Sequence, residues 1–560
     1  MQKGRYSVLV GLSALIVVVS ACSGNSKEGN EDKQPSASPS AAASASAKPQ
    51  PSQNPDFKPL GKYNPPIEMS TVRQVAANQY FDEGETIDKN SLYDFYESQL
   101  GIKIKNLWTV SKDYDTKLKL AIASDELPDF FKVSPVDLLQ LVENGMVADL
   151  TEAWDKTASD AFKKWVGYDG GIQMKSATFG GKLMAIPETR SGYGDLGILY
   201  VRKDWLKEMN LPEPKTMADL LKISKAFSQR DSGGKGKTYG LFLDKTLGLK
   251  NFFNGYHLYP KTWVKDSAGN LSYGSLDPRM KDALKELQAM FKDGQIDPEF
   301  GVKDRVKELE LVNNNRVGIM YGRYSDTVAL TGAIVNNKVV QEWESYMIPS
   351  IDDKPAQSQV SANVQNYFVA SKKSKHPEAL IKIADLSLAP TIHQIPGSNV
   401  LATGKNNKTD QIIYTINPIT LFGQLGPVEM GELIPKAEKL RDPSVLKGQW
   451  PNVYKNMMNF INGDINIVNY ANYMNGKDGG TLAKVYQGYQ QNLFKFDEFY
   501  GAPTPTMGEK MATLLAKEDE IVTKIIMGSA PVEAYDAFIS DWKKLGGEQI
   551  TKEVNDWAKR

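Results

Sequence analysis

The stretch LYDFYESQLGIKIKNLWTV, residues 92–110, decides the fold class. Leu92 to Leu100 carries a helical pattern, Gly101 ends it, and Ile102 to Val110 reads as a strand. Upstream, Ile67-Glu68-Met69 reads as the preceding strand. The folded part therefore opens strand, helix, strand, which favours an α/β sheet. Working C-terminally, Leu118 to Ala123 is expected to be a second short helix, and Val136 to Asn144 a third, closed by Gly145. Lys182 to Pro187 and Gly197 to Arg202 read as two strands joined by the turn Ser191-Gly192-Tyr193-Gly194. Asp277-Pro278 predicts a helix start, with Leu284, Leu287 and Phe291 on its buried face and Gly294 at its end. Val317 to Tyr321 and Tyr367 to Ala370 are further expected strands, the second followed by a helix from Pro377. Near the C-terminus, Tyr535, Phe538, Ile539, Trp542 and Leu545 share one helix face, with Gly546-Gly547 as the stop. No period of roughly 20 to 50 residues recurs, so a solenoid is excluded.

In the other direction lies the only cysteine, Cys22. It follows Val19-Ser20-Ala21 at the end of the apolar run Val8 to Val19, behind Lys3 and Arg5. The run is shorter than the roughly 20 residues a spanning helix needs, and small residues stand where a processing peptidase requires them. This order reads as a lipoprotein signal peptide over residues 1–21. Cys22 becomes the first mature residue and carries a diacylglycerol whose two acyl chains suffice for stable anchoring. Residues 22–60 are rich in Ser, Ala, Pro, Asn and Gln, cannot bury enough apolar surface to fold, and are expected to be a tether. The protein is then held at the outer face of the membrane and works in the water above it.

Basic and acidic side chains are equal in number, 67 of each, and no segment gathers the basic ones into a stripe, so nucleic acid is excluded as a partner. With Cys22 lipidated there is no thiol left for a disulfide or a thiolate metal site. His257, His376 and His393 are too far apart and too few for a zinc site, and no G-x-S-x-G elbow is present. No cofactor is expected. Gly192 to Gly197 fits G-x-G-x-x-G, but it leads into the strand pattern Ile198 to Val201, whereas a dinucleotide site needs a helix N-terminus there.

Five stretches resemble the extracellular solute-binding proteins of ABC importers, family 1, of the large lipoprotein type common in Gram-positive bacteria. They are LKLAIASDELPD (118–129), GKLMAIP (181–187) with LYVRKDWL (199–206), FKDGQIDPEF (291–300), NNNRVGIMYG (313–322) and IIMGSAPVEAYDAFISDWKKLGG (525–547). The first departs from the family pattern, with Asp125-Glu126 in place of Gly-Asp. The resemblance implies an α/β, two-lobed periplasmic-binding-protein-like type II fold with a hinge and an interlobe cleft. It further implies an N-terminal lobe of residues 61–188 and 366–400 and a C-terminal lobe of residues 189–365 and 401–560. The chain is expected to cross between lobes near 187–191, 361–367 and 395–425.

Some alginate-binding relatives hold calcium in an EF-hand-like loop, and residues 231–242 have a comparable composition. Its first, third, fifth and twelfth positions are Asp231, Gly233, Lys235 and Phe242, which lack the oxygen ligands calcium needs, so no metal is expected there.

What remains is binding. A sugar ring offers an apolar C–H face and a rim of hydroxyls, so its cleft needs aromatic platforms with amide and charged partners at the edges. Trp154, Trp165, Trp205, Trp542 and Trp557 lie in helical patterns and read as packing. Trp108, Trp263, Trp343 and Trp450 lie at strand ends or in loops among polar neighbours. Ligands of α/β sheets sit beyond strand ends. The candidates are Lys132 and Ser134 after Phe130-Phe131, Arg190 and Tyr193 at the first crossover, and Arg323 and Tyr324 after Met320. Asn363 and Tyr367 flank the second crossover, and Trp263 and Trp450 are platforms. The expectation is a monomeric receptor that captures an oligosaccharide and presents it to an ABC permease without catalysis. A polysaccharide-degrading enzyme and a peptide-binding receptor are the alternatives.

Overall fold

The Asn90 side chain caps the helix Ser91–Leu100 by accepting from Tyr93 N at 3.0 Å. Gly101 ends it in the left-handed region at φ 65°, where a Cβ would stand 2.4 Å from the Tyr63 carbonyl oxygen. The chain turns there into the strand Ile102–Val110, which pairs in parallel with Ile67–Gln74. Leu92, Tyr96, Leu100 and Ile102 are fully buried between helix and sheet. These elements belong to a computed structural model that describes residues 57–189, 192–234, 236–361, 364–406, 414–423, 425–446 and 450–559. The expected signal peptide, Cys22, the expected tether before residue 57, Arg190 and Asn363 lie outside the described residues.

Asp129 ties the next strand, which belongs to a separate three-stranded sheet, to this pair. Its Oδ2 accepts from Ser70 N at 2.8 Å and from Ser70 Oγ at 2.6 Å, which lays the strand Phe130–Val133 beside Ile67–Gln74. Phe130–Val133 then pairs antiparallel with Tyr367–Ala370, which pairs on its other side with Ile186–Pro187. One core, with Phe130, Phe131, Phe162, Ile186, Val369 and Ile383, lies under this sheet. It also takes in Leu401, Ile416, Ile419 and Leu421.

A second sheet has the order Trp343–Met347, Ile198–Arg202, Val317–Gly322, Tyr239–Leu241. Its helices, including Met217–Ser228, Met280–Lys292 and Pro505–Ile526, bury Trp205, Phe227, Leu284, Leu287, Ile525 and Trp542 in a separate core. The molecule is thus two α/β lobes, each with its own sheet and core. Lys182 to Pro187 and Gly197 to Arg202 were expected as two strands joined by a turn. Instead the 182–187 stretch forms two short pieces in the first lobe, Ile198–Arg202 belongs to the other sheet, and Gly192–Asp195 between them is a 3-10 turn. Leu545 also departs from expectation: the helix Ala534–Trp542 ends three residues earlier, and Leu545 is exposed. Among the described residues no helix is long and apolar enough to cross a membrane.

Four helices between residues 426 and 490 pack on the other face of the second sheet, sharing one core with Ile198, Tyr200, Met320 and Trp343, and form a further small core among themselves. Where the first core ends and these begin, three chain segments lie side by side. Glu188 N donates to Asn366 O at 2.9 Å, Phe422 N to Thr189 O at 3.1 Å, and Thr189 Oγ1 to Phe422 O at 2.9 Å.

Candidate functional site

The strand ends of the first sheet place a charged cluster. The register sets Val133 and Pro187 either side of Tyr367, so Lys132, Glu188 and Asn366 share one edge. Lys132 Nζ stands 3.8 Å from Glu188 Oε1, and Asn366 Nδ2 donates to Glu188 Oε2 at 2.7 Å. Glu188 is buried and Lys132 is open to solvent. Trp108, half-buried, leans on Tyr114 at 5.6 Å under the Lys117 ammonium, and the Tyr114 hydroxyl donates to Lys132 O at 2.9 Å.

An edge of the second sheet carries another charged cluster. Gly322 pairs with Ile198, so the residues after one strand and before the other come together. Arg323 Nη1 donates to Asp195 Oδ1 at 3.0 Å, and Arg323 N donates to Asp326 Oδ2 at 2.9 Å. Arg305 Nη2 is 3.5 Å from Asp326 Oδ1. A Cβ on Gly322 would come within 2.7 Å of Asp326 Oδ2, so only glycine leaves room for that carboxylate. Lys250, half-buried at the start of Lys250–Asn254, sits among these charges. Burial lowers its pKa and Arg323 adds to that, against Asp195 and Asp326.

Aromatic side chains flank these residues in the chain. Tyr193 is edge-on to Tyr489 at 5.1 Å and Phe494 at 5.0 Å, and its hydroxyl reaches Tyr168 O, on the first lobe, at 3.4 Å. Burial raises the Tyr193 pKa, with Tyr489 and Asp169 adding to it. Tyr324 and Trp450 pack, half-buried, on one small core of Ile434, Met457 and Leu482, together with Tyr454 and Tyr473. Burial likewise raises the Tyr324 pKa.

The expected site residues therefore divide. Lys132 lies on the first edge, and Tyr193, Arg323 and Tyr324 on the second. Trp450 joins Tyr324 on a shared core. Three others are used elsewhere. Trp263 is buried against Tyr273 at 5.3 Å in the second core and is no platform. Tyr367 is buried and its hydroxyl donates to Ser176 Oγ at 2.8 Å. Ser134 caps Pro135–Glu143, accepting from Asp137 N at 3.2 Å and donating to Asp137 Oδ2 at 2.7 Å. Trp343, grouped with the loop tryptophans, is buried as well. Glu188, Asp195, Lys250 and Tyr489 were not singled out in the sequence. Tyr486 and Tyr489, three apart on one helix, are the only ones near a readable signal.

The model of the bacterial extracellular solute-binding proteins matches residues 91–386, more than half of the chain. The chain belongs to that family. Curated relatives include the polygalacturonan/rhamnogalacturonan-binding protein YtcQ of Bacillus subtilis, 26% identical over 235 residues, which cover 40% of this chain and 44% of YtcQ. The fructooligosaccharide ABC transporter substrate-binding protein FusA of Streptococcus pneumoniae is 23% identical over 372 residues, 60% of this chain and 65% of FusA. The match thus spans less than half the length of YtcQ and less than two thirds of FusA. Among solved structures, an extracellular solute-binding protein of Bifidobacterium longum subsp. infantis superposes with a TM-score of 0.61 at 16% identity, over 89% of this chain and 99% of that one. The two-domain α/β fold of this family is the fold of the chain.

Proposed function

We propose that this protein is a lipid-anchored receptor of an ABC importer that captures an oligosaccharide between its two lobes and hands it to the permease. The observation carrying the reading is a polar, charged cluster at a strand-end edge in each lobe. Lys132, Glu188 and Asn366 lie on one, and Arg323, Asp195, Tyr193 and Tyr324 on the other, joined through the adjacent segments at 188–189, 366 and 422. Polar and charged groups beside half-buried tyrosines suit a ring with an apolar face and a hydroxyl rim. Membership of the solute-binding family and the carbohydrate names of YtcQ and FusA support the same class of ligand.

In this reading the lobes meet at about residues 188–189, 366 and 422, which act as the hinge. Ligand binds the closed arrangement better than the open one, and the difference drives closure. Lys132, Tyr193, Arg323, Tyr324 and Trp450 contact the sugar, with Arg190 and Asn363 kept as candidates from the crossover segments. No bond is made or broken. The chain works as a monomer outside the cell, held through diacylglyceryl Cys22.

A thermal-shift screen over oligosaccharides and short peptides tests this. At a hundred times its dissociation constant a true ligand adds about 2.7 kcal/mol of apparent stability. The expected outcome is stabilisation by a saccharide and by no peptide. Tyr324→Ala is then expected to weaken that saccharide about tenfold or more by titration calorimetry, a loss of about 1.4 kcal/mol. Unchanged affinity in this variant would remove Tyr324 from the site.

A further inference from the structure

The turn after the helix Asp160–Val166 carries a first-lobe tyrosine, Tyr168, to the lobe boundary. Asp169 fixes that turn. Its Oδ1 accepts from Gly171 N at 2.8 Å and Ile172 N at 3.1 Å, and its Oδ2 from Gln173 N at 3.0 Å. With both carboxylate oxygens bonded to backbone, the turn holds Tyr168 in one place. Tyr168 O accepts from the Tyr193 hydroxyl of the second lobe at 3.4 Å, and Trp165, one helical turn back, meets the Tyr168 ring edge-on at 6.5 Å. The crossing segment at 422 comes up against Trp165. A Cβ on Gly423 would stand 2.7 Å from that indole, so only glycine allows the approach, and Phe422 before it is left 39% exposed.

The second lobe brings Tyr489, on the helix Thr481–Gln490 and 38% exposed. Its ring stands nearly perpendicular to that of Tyr193 at 5.1 Å, and Phe494 and Phe496 meet Tyr193 in the same way at 5.0 and 5.7 Å. Three rings and a hydrogen bond across the boundary thus fix Tyr193. Phe422 and Tyr489 are exposed and Tyr168 is half-buried, so all three keep surface open to water. Burial raises the Tyr168 pKa, with Glu429 and Tyr489 of the second-lobe helices adding to it. Aromatic surface left open by both lobes at one boundary marks a place where something binds. Resting on the oligosaccharide reading above, we infer that Tyr168 and Tyr489 enclose one ring of the oligosaccharide between the lobes, with Tyr193 as the floor and Phe422 as a wall. The ring faces cover the apolar C–H side of the sugar, and the tyrosine hydroxyls, each a donor and an acceptor, meet its rim. Because Tyr168 and Tyr489 come from different lobes, this subsite ties occupancy to the lobe arrangement.

The test is titration calorimetry on the full mature protein with short oligomers of glucose, galactose, xylose, arabinose and fructose, beside tripeptides. At least one oligomer is expected to bind. Tyr168→Ala and Tyr489→Ala are each expected to weaken it at least tenfold, whereas Tyr168→Phe, which keeps the ring, is expected to hold most of the affinity. In the double alanine variant the losses are expected to be less than additive, because removing either ring already frees the same sugar. Melting curves without ligand check folding, and if Tyr168→Ala does not melt cooperatively, the exposed Tyr489 decides alone. Affinity unchanged in a folded alanine variant, or strictly additive losses, overturns the inference and leaves the oligosaccharide reading standing. Binding of tripeptides alone, or of no saccharide, overturns both.

Discussion

Replacing Arg73 by methionine is expected to lower the unfolding free energy by about 3–5 kcal/mol, read from urea denaturation. Arg73 lies on the inner face of the strand Ile67–Gln74 and is buried. Its guanidinium donates to Thr415 O at 2.8 Å, Asn417 O at 2.7 Å, the Ile416 carbonyl and Tyr93 Oη at 3.0 Å. Methionine fills much of the volume and satisfies none of these acceptors, so the penalty is that of buried carbonyls left unpaired. The effect has a second reach. Residues 415–417 lead directly to Phe422, which is bonded to Thr189 between the lobes. Losing the clamp is therefore expected to weaken saccharide binding as well. A stability loss below about 1 kcal/mol would mean that water or neighbouring groups replace the guanidinium.

Stability is expected to fall by several kcal/mol between pH 5.5 and pH 8.5, up to about 7 kcal/mol if three buried carboxyl groups titrate in full. Glu308 is buried and neither carboxylate oxygen receives a hydrogen bond. Burial, and then the neighbouring Asp297 carboxylate, push its pKa up to about 8, against Lys303. Burial also raises Asp497 to about 7 and Glu518 to about 7. Each group is protonated in the folded chain at a pH where it is ionised in the unfolded one. The folded state thus binds more protons from the ordinary carboxylate range up to about pH 8, and stability declines as pH rises through that window. Carboxylates held low, such as Asp149 and Asp219, act only at more acid pH. Glu308→Gln keeps the shape and removes the titration, so it is expected to flatten part of the slope and to be more stable than the parent at pH 8.5. Urea midpoints at the two pH values decide it, and a parent protein equally stable at both would contradict it.

What the sequence made legible was local. The helix and strand over residues 92–110 could be read because cap, glycine stop and buried face lie within twenty residues of one another. The strand Tyr367–Ala370 and the helix after Pro377 were visible for the same reason. The helices from Gly426–Leu440 to Thr481–Gln490 were not read. Pro435 lies inside the first, and asparagines and glycines interrupt the apolar pattern of the others, whose stability comes from packing on one another. Trp263 was misjudged because its sequence neighbours are polar, while the rings that cover it, Tyr273 and Phe499, come from a hairpin partner and from far along the chain. Ser134 carried a readable cap signal, Ser-Pro-x-Asp, that competes with any ligand role. Asp195 and Arg323 come from segments far apart in the chain, and only the strand register brings them together.

The central claim is closure over a carbohydrate. Small-angle scattering of the mature protein, alone and with a saccharide that raises its melting temperature, tests it most directly. The radius of gyration is predicted to shrink on saturation with that saccharide. An unchanged radius at full occupancy would contradict the account.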